Sequence, residues 1–297
     1  GKLKEAQLSL LKTIQIIPNF AKANYNLGNI SLDLDQFYES IDHYKKAIEL
    51  NNKLSIAKSG LIKARGIICD WSDQERQSNW LKNIGIEGSS IYPLGLFCYQ
   101  DNPTIHLKRA KKLYKEKYYT KSEKIEFPKN KKIHIGYFSS DFRDHPTMHL
   151  ICSILKLHDK SRFKIYLYSF APKEDKYTEI AKNLGCIFKD INELNDIESV
   201  ELARKDQLDI AIDLMGYITN SRMRIFSYKV APIQINYLGY PGSLGSDTIN
   251  YIIADKVVIP DGYEKFYSEK IIRMPNCYQC NDNTKEICKE PISRKDF

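Results

Sequence analysis

Two acids and two histidines crowd one short segment, Ser139-Ser140-Asp141-Phe142-Arg143-Asp144-His145-Pro146-Thr147-Met148-His149. An imidazole titrates near neutral pH, so a histidine oriented by a carboxylate can accept or donate a proton during a reaction. His145 stands just before Pro146, a residue suited to the first position of a helix. A helix opening there offers amides and a dipole to a phosphate or a developing anion. Asp141 and Asp144 are both close enough in sequence to orient the ring. The competing reading makes Asp144 the helix cap, leaves His145 as a loop residue, and packs His149 on the following turn.

Two further segments fit beside it. Leu238-Gly239-Tyr240-Pro241-Gly242-Ser243-Leu244-Gly245 is rich in Gly and Pro. Such a loop either lets backbone approach a ligand closely or simply makes a tight turn. The stretch from Gly216 to Arg222 follows an apolar run that ends in an acid.

The elements that must position these loops alternate in period. KIHIGYFSS (131–139), FKIYLYSF, CIFKDI, LDIAIDLMG, PIQINYLG and NYIIADKVV read as strands. Helical spacing separates several of them, in PTMHLICSILKLH, in 174–184 and in roughly 195–206. That alternation predicts an α/β fold, an open doubly wound (Rossmann-like) parallel sheet. Ligands of such sheets bind beyond the carboxyl ends of the strands, which selects the three loops above. No Gly-x-Gly-x-x-Gly follows the first strand, which argues against a dinucleotide dehydrogenase.

Residues 1–66 are organised differently. Ala6 recurs as Ser40, Leu10 as Tyr44, Thr13 as Ala47 and Pro18 as Asn52, a period of 34. The unit Ala21 to Lys53 carries Leu27-Gly28, Tyr44 and Ala47, and resembles a tetratricopeptide repeat. Gly28 lets two helices approach, while Tyr44 and Ala47 fill the seam. One and a half repeats bury little, so the array is expected to extend further upstream, where the chain opens as a helix already in progress. The expected division is 1–66 repeats, 67–130 a helical and basic linker, and 131–297 a sheet lobe.

The 297 residues are 42% hydrophobic and 28% charged, with a formal net charge of +8. Residues 107–132 hold eleven Lys or Arg and three Glu, so this stretch carries the whole excess. Interleaved with Tyr114, Tyr118 and Tyr119 it has the ingredients of a nucleic-acid surface, but a solvated helix and linker is the favoured reading. Seven scattered cysteines without a secretory signal point to a reducing, cytoplasmic setting. Cys277-x-x-Cys280, with Cys288 beyond, has zinc-like spacing but no evident fourth ligand. Asp33-Leu34-Asp35 falls in the repeat turn, away from the loops. No metal is expected, and no membrane span.

Four segments together carry a resemblance: GYFSSDFRDHPTMHL, APIQINYLGYPGSLGS, NYIIADKVVIP and YSEKIIRMPNCYQCND. They are similar, in sequence and order, to the catalytic region of the O-linked N-acetylglucosamine transferase family, which includes the plant SPINDLY fucosyltransferases and bacterial relatives. That family joins tetratricopeptide repeats to a two-lobed transferase. The resemblance implies an inverting transfer of a sugar, N-acetylglucosamine first among the candidates, from a UDP-sugar to Ser or Thr of proteins. It implies His145 and Asp141 as catalytic residues, and Pro146, Thr147, Tyr217, Arg222, Leu238 and Gly239 as substrate-binding ones. It implies protein acceptors held by the repeats and no metal cofactor, the UDP-sugar being substrate.

The stretch Glu87 to Leu94 has no histidine where the animal enzymes carry one, and Ile218-Thr219 replaces their Thr-Lys. Pro291 to Phe297 resembles the segment before the second lobe, so the 297 residues alone are expected to be inactive. The alternative function is a repeat scaffold that binds peptides and carries a degenerate transferase lobe.

Overall fold

The computed structural model describes residues 2–121, 125–285 and 293–294. The chain separates into two compact units. One comprises the residues through Thr120 together with Gly242–Asp247 and Gly262–Glu269. The other comprises Lys121–Pro241, Thr248–Asp261 and the chain from Lys270 onward.

The first unit is helical. Its elements are α1 (Lys2–Ile16), α2 (Ala21–Asp33), α3 (Phe37–Leu50), α4 (Ser55–Ile67), α5 (Gln74–Leu81) and α6 (Pro103–Leu113). The repeat geometry turns on one ring. Tyr44 of α3 lies between Gly28 of α2 and Gly60 of α4, and a Cβ on either glycine would sit 2.6 Å from ring carbons. Only hydrogen fits there. The ring is 1% exposed, and its hydroxyl donates to Asn29 Oδ1 at 2.7 Å. Ser40, where the repeat pattern usually has alanine, is also buried and donates to the Gly28 carbonyl at 2.8 Å. Its hydroxyl is thereby satisfied.

The basic stretch is only partly a solvated face. Arg109 of α6 is fully buried and ties the end of α5, with Nε donating to Ile84 O at 2.8 Å and Nη2 to Leu81 O. Burial lowers its pKa to about 10. A single π-turn, Tyr114–Tyr118, continues α6. Tyr114 and Tyr118 are buried, the first donating to Asp247 Oδ1 at 2.8 Å, so of the three tyrosines only Tyr119 offers a face.

The second unit is a seven-stranded, wholly parallel sheet in the order β3-β2-β1-β4-β5-β6-β7. The strands are β1 (Ile133–Ser139), β2 (Phe163–Ser169), β3 (Ile187–Asp190), β4 (Ile210–Asp213), β5 (Ile233–Asn236), β6 (Tyr251–Ala254) and β7 (Lys270–Arg273). Between them run α7 (Pro146–Leu157), α8 (Lys176–Lys182), α9 (Asp196–Lys205) and α10 (Met223–Ser227). The doubly wound α/β expectation is met, with β7 added as a strand that the sequence reading did not separate.

Alternate residues serve the two faces of the sheet. Ile135, Tyr137, Ile165, Leu167, Ile212 and Ile235 pack against Met148, Ile151 and Leu155 of α7 in one cluster. On the other face Phe138 stacks on Tyr168 at 4.3 Å between ring centroids and meets Phe226 of α10 edge-on. Each such buried side chain contributes roughly 1.5–3 kcal/mol. The chain runs outward from β1 on one side and from β4 on the other, so the strand order reverses between these two neighbours. Their carboxyl ends flank the crevice where doubly wound sheets bind ligands.

Candidate functional site

Three loops leave the sheet at this reversal and its flank: 139–145 from β1, 214–222 from β4 and 237–241 from β5. In the first, α7 begins at Pro146 and its N-cap is His145, whose extended backbone (φ −154°) precedes the helix. The imidazole Nδ1 accepts the Thr147 N–H at 3.2 Å and lies 3.2 Å from Thr147 Oγ1. It also lies 3.4 Å from Asp141 Oδ2.

The expected cap, Asp144, does not cap the helix. Its Oδ1 accepts from His149 Nε2 at 2.9 Å, and its own N–H donates to Asp175 Oδ2 at 2.7 Å. The reason is reach. With its side chain carried off to His149, Asp144 leaves the first amides to the residue after it. His149 packs edge-on to Tyr177 at 4.5 Å between centroids, the packed role the sequence suggested.

Asp141 is 3% exposed. Its Oδ1 accepts from Ser140 Oγ at 3.0 Å and lies 3.4 Å from Arg143 Nη2, while its N–H donates to Ser139 Oγ at 2.9 Å. A buried carboxylate so surrounded is an orienting group; the half-buried imidazole beside it is the one that can reach a substrate.

The Nδ1 atom serves two partners that require opposite states. Bearing the proton, it can donate to Thr147 Oγ1 while facing Asp141 Oδ2 at 3.4 Å, and Nε2 keeps a lone pair, which is the base form. Without it, Nδ1 accepts from Thr147 N–H and Nε2 carries the donor proton. The Thr147 amide is taken up by the ring, so α7 offers fewer free amides to an anion than the sequence suggested.

In the second loop, Asp213 closes β4 and is buried. Its Oδ1 accepts from Met215 N at 2.9 Å and its Oδ2 from Gly216 N at 3.1 Å. Burial pushes its carboxyl up to about 6, against the pull of those two amides. Sequence reading recognised only an acid at the end of a strand. Tyr217 is buried, its ring edge-on to Tyr240 at 5.7 Å.

Arg222 stands apart from the loops' meeting point. Its guanidinium donates to Asp196 Oδ1 at 2.8 Å, Ile191 O at 2.9 Å, Leu194 O at 2.8 Å and Ser199 Oγ at 3.1 Å. Those bonds hold α9 and the turn before it, on the side of β3.

The third loop is strained. Leu238 has φ +74°, in the left-handed region that non-glycine residues avoid. Next to it, a Cβ on Gly239 would collide with the Leu214 carbonyl oxygen. Only glycine allows the β5 loop to lie on the β4 loop so closely. Further along, Ser243 Oγ and Leu244 N both donate to the buried Glu269, each at 2.7 Å.

Among the described residues no group of three or more His, Cys, Asp or Glu could hold a metal ion. Cys277 is exposed, Cys280 packs beside the sheet core, and Cys288 lies outside the described residues, as does most of the stretch from Pro291 to Phe297. No helix among the described residues is long and apolar enough to cross a membrane.

The profile of glycosyl transferase family 41 matches residues 68–290, and a tetratricopeptide-repeat profile matches residues 21–54. A probable UDP-N-acetylglucosamine–peptide N-acetylglucosaminyltransferase of Arabidopsis thaliana, SEC, is 33% identical over 153 residues, which is 51% of this chain and 16% of that protein. A UDP-N-acetylglucosamine–peptide N-acetylglucosaminyltransferase of Caenorhabditis elegans is 28% identical over 244 residues, 74% of this chain and 21% of that protein. The chain thus spans about a fifth of the length of these relatives. Among solved structures, a mutant of the Thermobaculum terrenum O-GlcNAc transferase superposes with a TM-score of 0.66 at 20% identity. It covers 94% of this chain and 55% of its own, a likeness of fold.

Proposed function

The chain belongs to glycosyl transferase family 41, and from that membership we propose that it is part of an inverting protein O-glycosyltransferase. The donor is a UDP-sugar, N-acetylglucosamine first among candidates because the printed names of the relatives specify it. The acceptor is a Ser or Thr hydroxyl of a polypeptide. Residues 1–66 are the end of a repeat array that presents the polypeptide, 67–130 join it to the lobe, and 131–297 form the first of two transferase lobes.

The observation that carries this reading is the Asp141–His145 pair beside the strand reversal, with Nδ1 to Oδ2 at 3.4 Å. In the reaction the acceptor oxygen attacks the anomeric carbon, the bond to the diphosphate oxygen breaks from the opposite face, and the hydroxyl proton must leave. Positive charge builds on the sugar ring in the transition state. His145, with Nδ1 protonated toward Asp141, takes the hydroxyl proton on Nε2; Asp141 holds the ring and steadies the imidazolium. Pro146 opens the helix beside the ring, and Thr147 Oγ1 accepts from the protonated Nδ1 in place of the amide bond. Leu238 and Gly239 present backbone to the donor sugar, and Tyr217 supports that loop through Tyr240. Arg222 acts as a brace for α9 rather than a ligand contact. No metal is required, so charge on the leaving diphosphate is offset by the second lobe.

The test is transfer of N-acetylglucosamine from its UDP ester to a Ser/Thr peptide by the full-length protein, read by mass spectrometry. Modified peptide supports the reading. Peptide binding with neither transfer nor donor hydrolysis would favour the peptide-binding scaffold.

A further inference from the structure

We propose that Asp213 is a positioning residue that clasps the two candidate site loops to each other through the turn between them. The proposal rests on the reading that the loops 139–145 and 238–241 flank the transfer site. It concerns how those loops are held, which family membership does not address.

Asp213 sits in register between Phe138 of β1 and Asn236 of β5, the strands from which the two loops depart. Its carboxylate fixes the amides of Met215 and Gly216, and the turn so formed reaches both ways. Toward β1, Ser139 Oγ donates to Met215 Sδ at 3.3 Å and accepts the Asp141 N–H. Ser140 Oγ, 3.6 Å from the same sulfur, gives its one proton to Asp141 Oδ1. The Met215 thioether therefore meets the two serine hydroxyls that bond Asp141, the neighbour of His145.

Toward β5, the same turn leaves no room. Gly216 has φ +62°, and a Cβ there would lie 2.5 Å from Tyr240 Cβ. The Leu214 carbonyl fills the space where Gly239 would carry a side chain. Leu238 is held at positive φ directly before that contact. A strained residue persists only where its surroundings over-determine it. Here the surroundings are the turn that Asp213 ties down.

The ionised carboxylate is the form that accepts both amides. Protonated, one oxygen becomes a donor facing an N–H group, and one of the two bonds is lost. The position of the titration is set by burial and by the two amides, and no charged side chain contributes to it. The titratable and charged groups on the joined loops are Asp141, Arg143, Asp144 and His145 on the β1 side and Tyr237 and Tyr240 on the β5 side.

Amide hydrogen exchange of the 297-residue protein tests the clasp without any donor or acceptor. Rates are referenced to the intrinsic rate at each pH. Asp213→Ala should speed exchange about tenfold in three segments together, 139–145, 214–217 and 238–241, because each lost bond is worth roughly 0.5–1.5 kcal/mol. Exchange in α2 and α3 should not change. In the native protein the ordered loops hold the Asp213 proton more tightly than the opened ones, so exchange in the three segments should slow together as pH falls through about 6, and Asp213→Asn, which keeps one acceptor oxygen and does not titrate, should abolish that pH step.

Acceleration confined to 214–217 would overturn the proposal and leave Asp213 a local turn cap. Unchanged rates, or a pH step that survives in Asp213→Asn, would overturn it as well. If Asp213→Ala does not fold, the Asn variant and its pH profile decide. Because the readout needs no catalysis, the clasp can fail while the transferase reading stands, and the reverse.

Discussion

The seam around Tyr44 and the loop cluster around Asp213 are both fully buried, and they are built on opposite logic. At the seam one aromatic ring occupies a slot that two glycines leave open, and the hydroxyls of Tyr44 and Ser40 each find a partner on the neighbouring helix. At the cluster the contacts are backbone against backbone, a residue is held at positive φ, and a carboxylate is buried with amides as its partners. The first arrangement gathers stability. The second gives some up to hold three loops in place. Strain and buried charge gather at functional sites for this reason.

The sharpest way to break the comparison is at the seam. Tyr44→Ala removes a ring that nothing else can replace and should lower stability by about 3–5 kcal/mol, as large aromatic truncations do. The melting of the helical unit should move while the near-ultraviolet signal of the sheet aromatics stays. A loss under 1 kcal/mol would mean that the repeat collapses onto the space and that the ring is not its keystone.

The cluster predicts a smaller and pH-dependent effect. The folded carboxyl of Asp213 titrates at about 6, above its ordinary value of 3.8. A raised acid favours the folded state when protonated, so its contribution is fully present below pH 3.8 and is lost as pH rises through 6. Between pH 4 and 7 the native protein should lose about 3 kcal/mol relative to Asp213→Asn, at roughly 1.4 kcal/mol per unit. Parallel urea curves for the two proteins across that range would remove the claim of a buried, costly acid.

Gly239→Ala tests the backbone contact and should cost about 1–3 kcal/mol, since a carbonyl oxygen cannot give way as a side chain can. Chemical denaturation measures it. A neutral result would show that the β5 loop has slack, and the strain at Leu238 would then need another cause.

Which parts of the molecule the sequence revealed follows from the same contrast. The seam is local: Gly28, Tyr44 and Ala47 lie within one 34-residue period, so spacing alone places them together. The parallel sheet was equally legible, because strands buried on both faces read as short apolar runs. β7 escaped because its four residues, Lys-Ile-Ile-Arg, are too polar at both ends to stand out. At the site, the Asp141–His145 proximity was readable, since both residues share one loop. The capping role of His145 was not, because it depends on where Asp144 turns. The bonds of Arg222 were not legible for a related reason: its partners, Ile191, Leu194, Asp196 and Ser199, are some 23 to 31 residues away. Asp213 was passed over because the segments it joins, near 140 and near 239, converge only in the fold.

The central claim is that the imidazole of His145, seated on Asp141, handles the acceptor proton. The most direct measurement compares transfer by the full-length protein with that of its His145→Ala variant, alongside the melting temperature of each. The account predicts a fall in kcat of ~10²–10⁴, the usual worth of a positioned acid or base, with the protein still folded and melting lowered only by what the loss of the α7 cap costs, about 0.5–2 kcal/mol. Transfer within a few-fold of the native rate, with the same melting temperature, would contradict it.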